Sequence, residues 1–133
     1  MTKQVITTKQ GEFTVSAVLQ EQSVRFPNGE GITRHNRYSV SVRTDAGRAS
    51  FKFYDSQANL GLTELSDLRG AFACFVNDAI LGRDTFDDFC AEFSYDTDSR
   101  RAEKIYRECV RSAAKLERIF TGDIYDLANE LDD

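Results

Sequence analysis

Apolar and polar residues alternate along the first half of the chain and recur every third or fourth position along the second. Phe13, Val15, Ala17 and Leu19 alternate with Glu12, Thr14, Ser16 and Gln20, with Val18 as the exception. A period of two over this length predicts a half-buried strand over 13–20, and Val5–Thr8 predicts another, split from it by Gly11. Tyr38, Val40 and Val42 alternate with Ser39, Ser41 and Arg43, and Phe51 and Phe53 with Ser50, Lys52 and Tyr54. With Asp45-Ala46-Gly47 as a short turn between them, 38–44 and 48–54 form the clearest hairpin. FPNGEG, residues 26–31, holds the only proline and the Asn28-Gly29 dipeptide. Both residues of that pair tolerate positive φ, so this segment is expected to be a loop, flanked by Arg25, Arg34, His35 and Arg37.

The period changes after Asn59. Leu65, Leu68, Phe72, Phe75, Val76, Ala79 and Ile80 recur at helical spacing, which predicts an amphipathic helix capped by Thr63 and ended by Gly82. Thr85 then starts a short helix carrying Phe86, Phe89, Cys90 and Phe93. Asp98 or Ser99 caps the longest helix, which is expected to reach about Phe120 with Glu103–Arg107 and Lys104–Glu108 as outer-face pairs. Asp123 caps a last short helix with Ile124, Leu127, Ala128 and Leu131 inward. The predicted class is α+β: a three- to four-stranded antiparallel N-terminal sheet packed on a C-terminal helical half of about four helices.

Length adds that 133 residues fit one domain, with a sheet half over 1–61 and a helical half over 62–133. Charge changes the picture more. Residues 1–61 hold 8 Lys and Arg against 5 Asp and Glu, a net of +3; residues 62–133 hold 9 against 17, a net of −8. A net charge of −5 makes the whole chain a poor duplex binder, while the basic half retains a local patch. No apolar run approaches the ~20 residues that span a bilayer, and the N-terminus lacks a signal-peptide stretch, so a cytoplasmic protein is expected.

Candidate chemistry is sparse. Cys74, Cys90 and Cys109 are odd in number, contain no CxxC pair and fall in helical apolar stretches, so reduced, buried thiols are expected. His35 is the only histidine; a Cys–His pair, for example with Cys90, is the nucleophilic arrangement to consider, and His35 lies in a polar stretch away from the apolar stripes that hold the cysteines. Asp87, Asp88, Glu92, Asp96 and Asp98 make a dense acidic run. It fails the EF-hand pattern because Ser99-Arg100 stands where the turn glycine belongs. Helix capping accounts for Asp88 and Asp98 without a metal. The phosphate-cradling motifs GxGxxG and GxxxxGK[ST] are both absent. No cofactor or metal is expected, and no enzymatic activity.

The stretch FDDFCAEFSYDTDSRRAEKIYRECVRSAAKLERIFTGDIYDLANEL, with FYDSQANLGLTELSDLRGAFACFVNDAI upstream, resembles a recurrent group of small proteins encoded by phages and prophages. The pattern F-x-D-F-C-x-E-F-x-Y-D-x-D-S-R-x-A-E-K-x-Y carries the resemblance, which brings no catalytic residue with it. It implies an accessory protein acting in the host cytoplasm. By analogy, small acidic phage proteins often bind host proteins, inhibitors of CRISPR–Cas and other defence systems among them.

The expectation is therefore a non-enzymatic, anti-CRISPR-like protein that binds and inhibits a host defence factor, a CRISPR–Cas component in its sharpest version. Its contact surface would be acidic: Asp87, Asp88, Glu92, Asp96, Asp98, Asp123 and Asp126. The alternative is a single-stranded nucleic-acid-binding accessory protein of phage replication or recombination, working through Arg25, Arg34, Arg37, Arg43 and Tyr38.

Overall fold

The computed structural model describes residues 2–28 and 31–132, with side chains described outside 26–32. Four strands come first: β1 (Thr2–Thr8), β2 (Gly11–Asn28), β3 (Gly31–Thr44) and β4 (Gly47–Asp55). They pair as an antiparallel meander in the order β1-β2-β3-β4. A short 3₁₀ turn, Ser56–Leu60, leads to four helices: α1 (Leu68–Leu81), α2 (Phe86–Phe93), α3 (Arg100–Glu117) and α4 (Ile124–Asp132). The expected α+β arrangement, sheet first and helices after, is the one observed.

The alternation sorts the two faces of the sheet. Ile6, Phe13, Val15, Ala17, Tyr38, Val40, Val42 and Ala49 are buried on one face, and α1 covers it. Phe13 packs against Phe72 with tilted rings at 4.9 Å and Phe51 stacks on Phe75 at 4.3 Å, so α1 crosses the sheet from β2 to β4. Each of these rings contributes about 2–3 kcal/mol by burial. In turn, α3 and α4 pack on α1. Gln10 ties α4 to the β1–β2 turn: its Nε2 donates to the Asp123 carbonyl (2.9 Å) and its Oε1 accepts from the Asp123 backbone N–H (2.6 Å). A second apolar cluster, Phe89, Cys90 and Ala102, joins α2 to the first half of α3.

The α1–α3 crossing is close. Gly82 follows α1 directly, and a Cβ there would lie 2.1 Å from the Cys109 carbonyl oxygen and 2.7 Å from the Val110 nitrogen. Its φ of −70° is ordinary, so the glycine is required by space rather than by conformation.

Three local expectations are corrected. The cap of α1 is Asp67, whose Oδ1 accepts from the Gly70 N–H at 2.7 Å; Thr63 lies upstream in irregular chain. Outside the helix, Leu65 is buried in the core, so it extends the apolar pattern without extending the helix. Second, much of 26–31 is strand: β2 and β3 pair through Phe26↔Thr33, Pro27↔Ile32 and Asn28↔Gly31. The Asn28-Gly29 turn falls partly on residues 29 and 30, outside those described. Third, Glu103 pairs with Arg107 as expected, but Glu108 pairs with Arg111 in place of Lys104.

β1 begins opposite Ala17, and β4 ends opposite Asn36. Beyond those points β2 and β3 continue as a two-stranded ribbon. At its base the register shifts between Leu19 and Val24, and Ser23 adopts a left-handed φ of 54°. Buried Asn36 holds this base: its Oδ1 accepts from the Ser23 N–H at 3.2 Å and its Nδ2 donates to the Leu62 carbonyl at 2.7 Å. No helix is long and apolar enough to cross a membrane among the described residues.

Candidate functional site

The helices cover one face of the sheet only. Across the other, the strand register sets side chains in rows: Val5, Thr14, Arg43 and Arg48; then Lys3, Ser16, Ser41 and Ser50; then Val18, Ser39 and Lys52; then Glu21, Arg37 and Tyr54. Short hydroxyl side chains fill the middle, and Ser41 Oγ and Ser50 Oγ lie 3.0 Å apart. Cations stand at both ends, with acids beside them: Glu12, in step with Thr14, at one and Glu21 at the other. Lys3, Arg43, Arg48 and Lys52 are exposed, and among the described residues none of them is in an ion pair. Arg37 is half-buried and reaches Glu21 at 3.5 Å.

Arg43 and Arg48 face each other directly across the β3–β4 ladder. Like charges in that position repel, so the pair costs stability unless an anion bridges it. Arg25 and Arg34 repeat the arrangement on the ribbon. Alternation along β3 puts Arg34 on the side of Asn36 and Tyr38, and Arg37 and Arg43 on the other. The structure thus brings Arg37 and Arg43 to one face, joins them with Lys3, Arg48 and Lys52, and leaves Arg25 and Arg34 apart. The three added cations were legible as the polar phase of the strands.

Tyr38 is a correction. It was expected beside the arginines, but it is 1% exposed in the core, and its hydroxyl donates to Gln57 Oε1 at 2.8 Å. Its ring is not available to a nucleobase. Among the described side chains, Tyr54, 41% exposed, is the aromatic one on the open face.

The seven acids fall into two groups. Asp87, Asp88, Glu92, Asp96 and Asp98 are exposed on α2 and the turn after it, which pack on α3. Asp123 and Asp126 are exposed at the start of α4, which packs on α1 beside the β1–β2 turn. Thr85 caps α2 by accepting from the Asp88 N–H at 3.2 Å, and Asp123 caps α4 by accepting from Tyr125 and Asp126. Phe93, 44% exposed, lies beside the first group. No cluster of three or more His, Cys, Asp or Glu side chains is arranged to hold a metal among the described residues.

The thiols are poor nucleophiles. Burial raises Cys90, helped by Asp87 and Asp96, and burial with Asp78 and Glu108 pushes Cys109 up to about 11. Cys74 is exposed, against the expectation of burial, because it lies off the α1 stripe; partial desolvation and Asp78, Asp67 and Asp132 raise it too. Cys90 sits in the α2–α3 cluster and His35 on the ribbon, so the two do not form a pair. A groove of about 380 Å³ between the 3₁₀ turn and α1, lined by Phe53, Leu60, Leu62, Ala71 and Cys74, contains no histidine.

Comparisons with family models, with curated proteins and with solved structures give no match.

Proposed function

We propose that the protein binds a single nucleic-acid strand across the open face of its sheet. The observation that carries this is the Arg43–Arg48 pair: two guanidinium groups set opposite one another, without an acid partner among the described residues, on a face that also presents Lys3 and Lys52. A phosphodiester between them turns a repulsion into two charge-assisted contacts. Three strand spacings make the face roughly 14 Å wide. That is too broad to enter a major groove of about 12 Å, which favours a single strand over a duplex. The net charge of −5 does not oppose this, because the acids sit mainly on the helices.

The test is fluorescence anisotropy of a labelled pyrimidine oligonucleotide across a salt series. Four exposed cations predict a log–log slope of roughly −3 for a single strand. Arg43→Ala with Arg48→Ala should weaken binding and flatten that slope by about 1.4. A variant that binds with the native slope, or a native protein that does not bind, would sink the proposal.

The acidic group on α2 favours a second reading, in which the protein docks on a basic surface of a host defence protein such as a CRISPR–Cas component, in the phage context the resemblance implies. Five exposed carboxylates beside half-exposed Phe93 are the observation behind it. Charge reversal at Asp87, Asp88 and Asp96 should then abolish inhibition of that partner and leave oligonucleotide binding intact. Inhibition that survives the reversal would refute this second reading.

A further inference from the structure

Resting on the nucleic-acid reading above, we propose a further activity: the sheet holds a strand by its sugar–phosphate side with the bases pointing outward, and so accelerates its annealing to a complementary strand.

The floor of the open face carries the argument. Its middle is built from Thr14, Ser16, Ser39, Ser41 and Ser50, all half-buried side chains too short to form a stacking surface. A sheet that binds bases inward does so with aromatic platforms, each worth about 1–3 kcal/mol per base. Here the middle rows have none, and Tyr54 stands in the end row on the edge strand. The hydroxyls instead offer short donors and acceptors to phosphate and sugar oxygens.

The cations are placed to match. Arg43 and Arg48 anchor one end of the floor and Lys52 lies toward the other, with Lys3 at the flank; Arg37, in the end row, is already engaged by Glu21. On β3, Arg43 lies four positions from Ser39, which faces Lys52, roughly 13 Å of strand. A backbone drawn along this line is neutralised at both ends and laid on hydroxyls between them. Its bases find no aromatic platform in the middle of the face, where Val18 is the one large apolar side chain. They face solvent, with their pairing edges free and part of the strand's charge cancelled, which are the two conditions that speed the approach of a second strand.

The experiment uses the full chain with two complementary labelled oligonucleotides, one carrying 2-aminopurine. Binding is read by anisotropy, base environment by 2-aminopurine emission, and annealing by energy transfer. The expected result is binding without quenching of 2-aminopurine, and annealing accelerated by about tenfold or more at low salt. Arg43→Ala with Arg48→Ala should abolish the acceleration. Binding with quenched 2-aminopurine and no acceleration would mean that the bases face inward, which overturns this inference and leaves the binding reading standing. Acceleration undiminished in the double variant would overturn it as well, because the face would not be the site. No binding by anisotropy would overturn the binding reading and this inference together.

Discussion

Gly82→Ala is the sharpest test of how the helical layer is built. The added Cβ would lie 2.1 Å from a carbonyl oxygen of α3, where a relaxed contact needs about 3.5 Å. The shortfall of roughly 1.4 Å cannot be met by a rotamer change, because the obstacle is the Cys109–Val110 backbone. Either α1 and α3 separate or the chain after α1 is displaced. Overpacking costs about 1–3 kcal/mol, and a backbone obstacle puts this case near 3. Against a total of about 5–15 kcal/mol that is a large fraction. In urea, with a slope of about 2 kcal/mol per M, the midpoint should fall by about 1.5 M. Gly82 also leads into α2, so the Cys90 thiol, now buried in the α2–α3 cluster, should label faster in the variant. A midpoint shift below about 0.3 M, within extrapolation error, would refute the close crossing.

Other outcomes follow from the same geometry. Tyr38→Phe removes the donor to Gln57 Oε1 and should cost about 1–2 kcal/mol in thermal unfolding while leaving oligonucleotide affinity unchanged; a loss of affinity would contradict its burial. Alkylation of the native protein at neutral pH should mark Cys74 first and spare Cys109; prompt labelling of Cys109 would contradict its burial. The Cys109 thiol stays protonated in the folded chain up to about 11, whereas an unfolded thiol ionises near ~8.5. The folded state binds more protons in that window, so stability should decline as pH rises through it, and Cys109→Ala should flatten the decline in a denaturation series. Asp78 has the same sign at acid pH. Partial desolvation raises the carboxyl of this surface residue, so ionising it costs a little stability as pH rises, and Asp78→Asn should raise the melting temperature only slightly at neutral pH while changing it little below the carboxylate range.

The fold was legible where burial imposes a period. The strands over 13–19, 38–44 and 48–54 each present one face to α1, and the alternation records that contact. The ribbon was not legible, because Glu21, Gln22, Ser23, Arg25 and Arg34 at its base are exposed and carry no apolar period. The start of α1 was misplaced because Leu65 is buried from irregular chain, so its apolar character mimics helical spacing. Tyr38 was legible: it keeps step with Val40 and Val42, which fixes it inward, and a binding role for its ring conflicts with that phase. The same phase points Arg43, Arg48 and Lys52 outward. What the chain alone could not show is that the helices leave that outward face uncovered, and that the acids separate between α2 and α4.

The one-sided layering gives the molecule a permanent electrical polarity. The sheet half carries +3 and the helical half −8, so the two layers form the poles of a macroscopic dipole. In the field of a polyanion such a body experiences a torque before any contact is made, and it turns sheet-first. On the nucleic-acid reading proposed above, encounter would be biased toward the open face, and the bias would fade as ions shorten the ~10 Å reach of the field at 0.1 M salt. On that reading the carboxylates of α2 and α4 would need to touch nothing to take part, since they would set the angle at which the protein arrives.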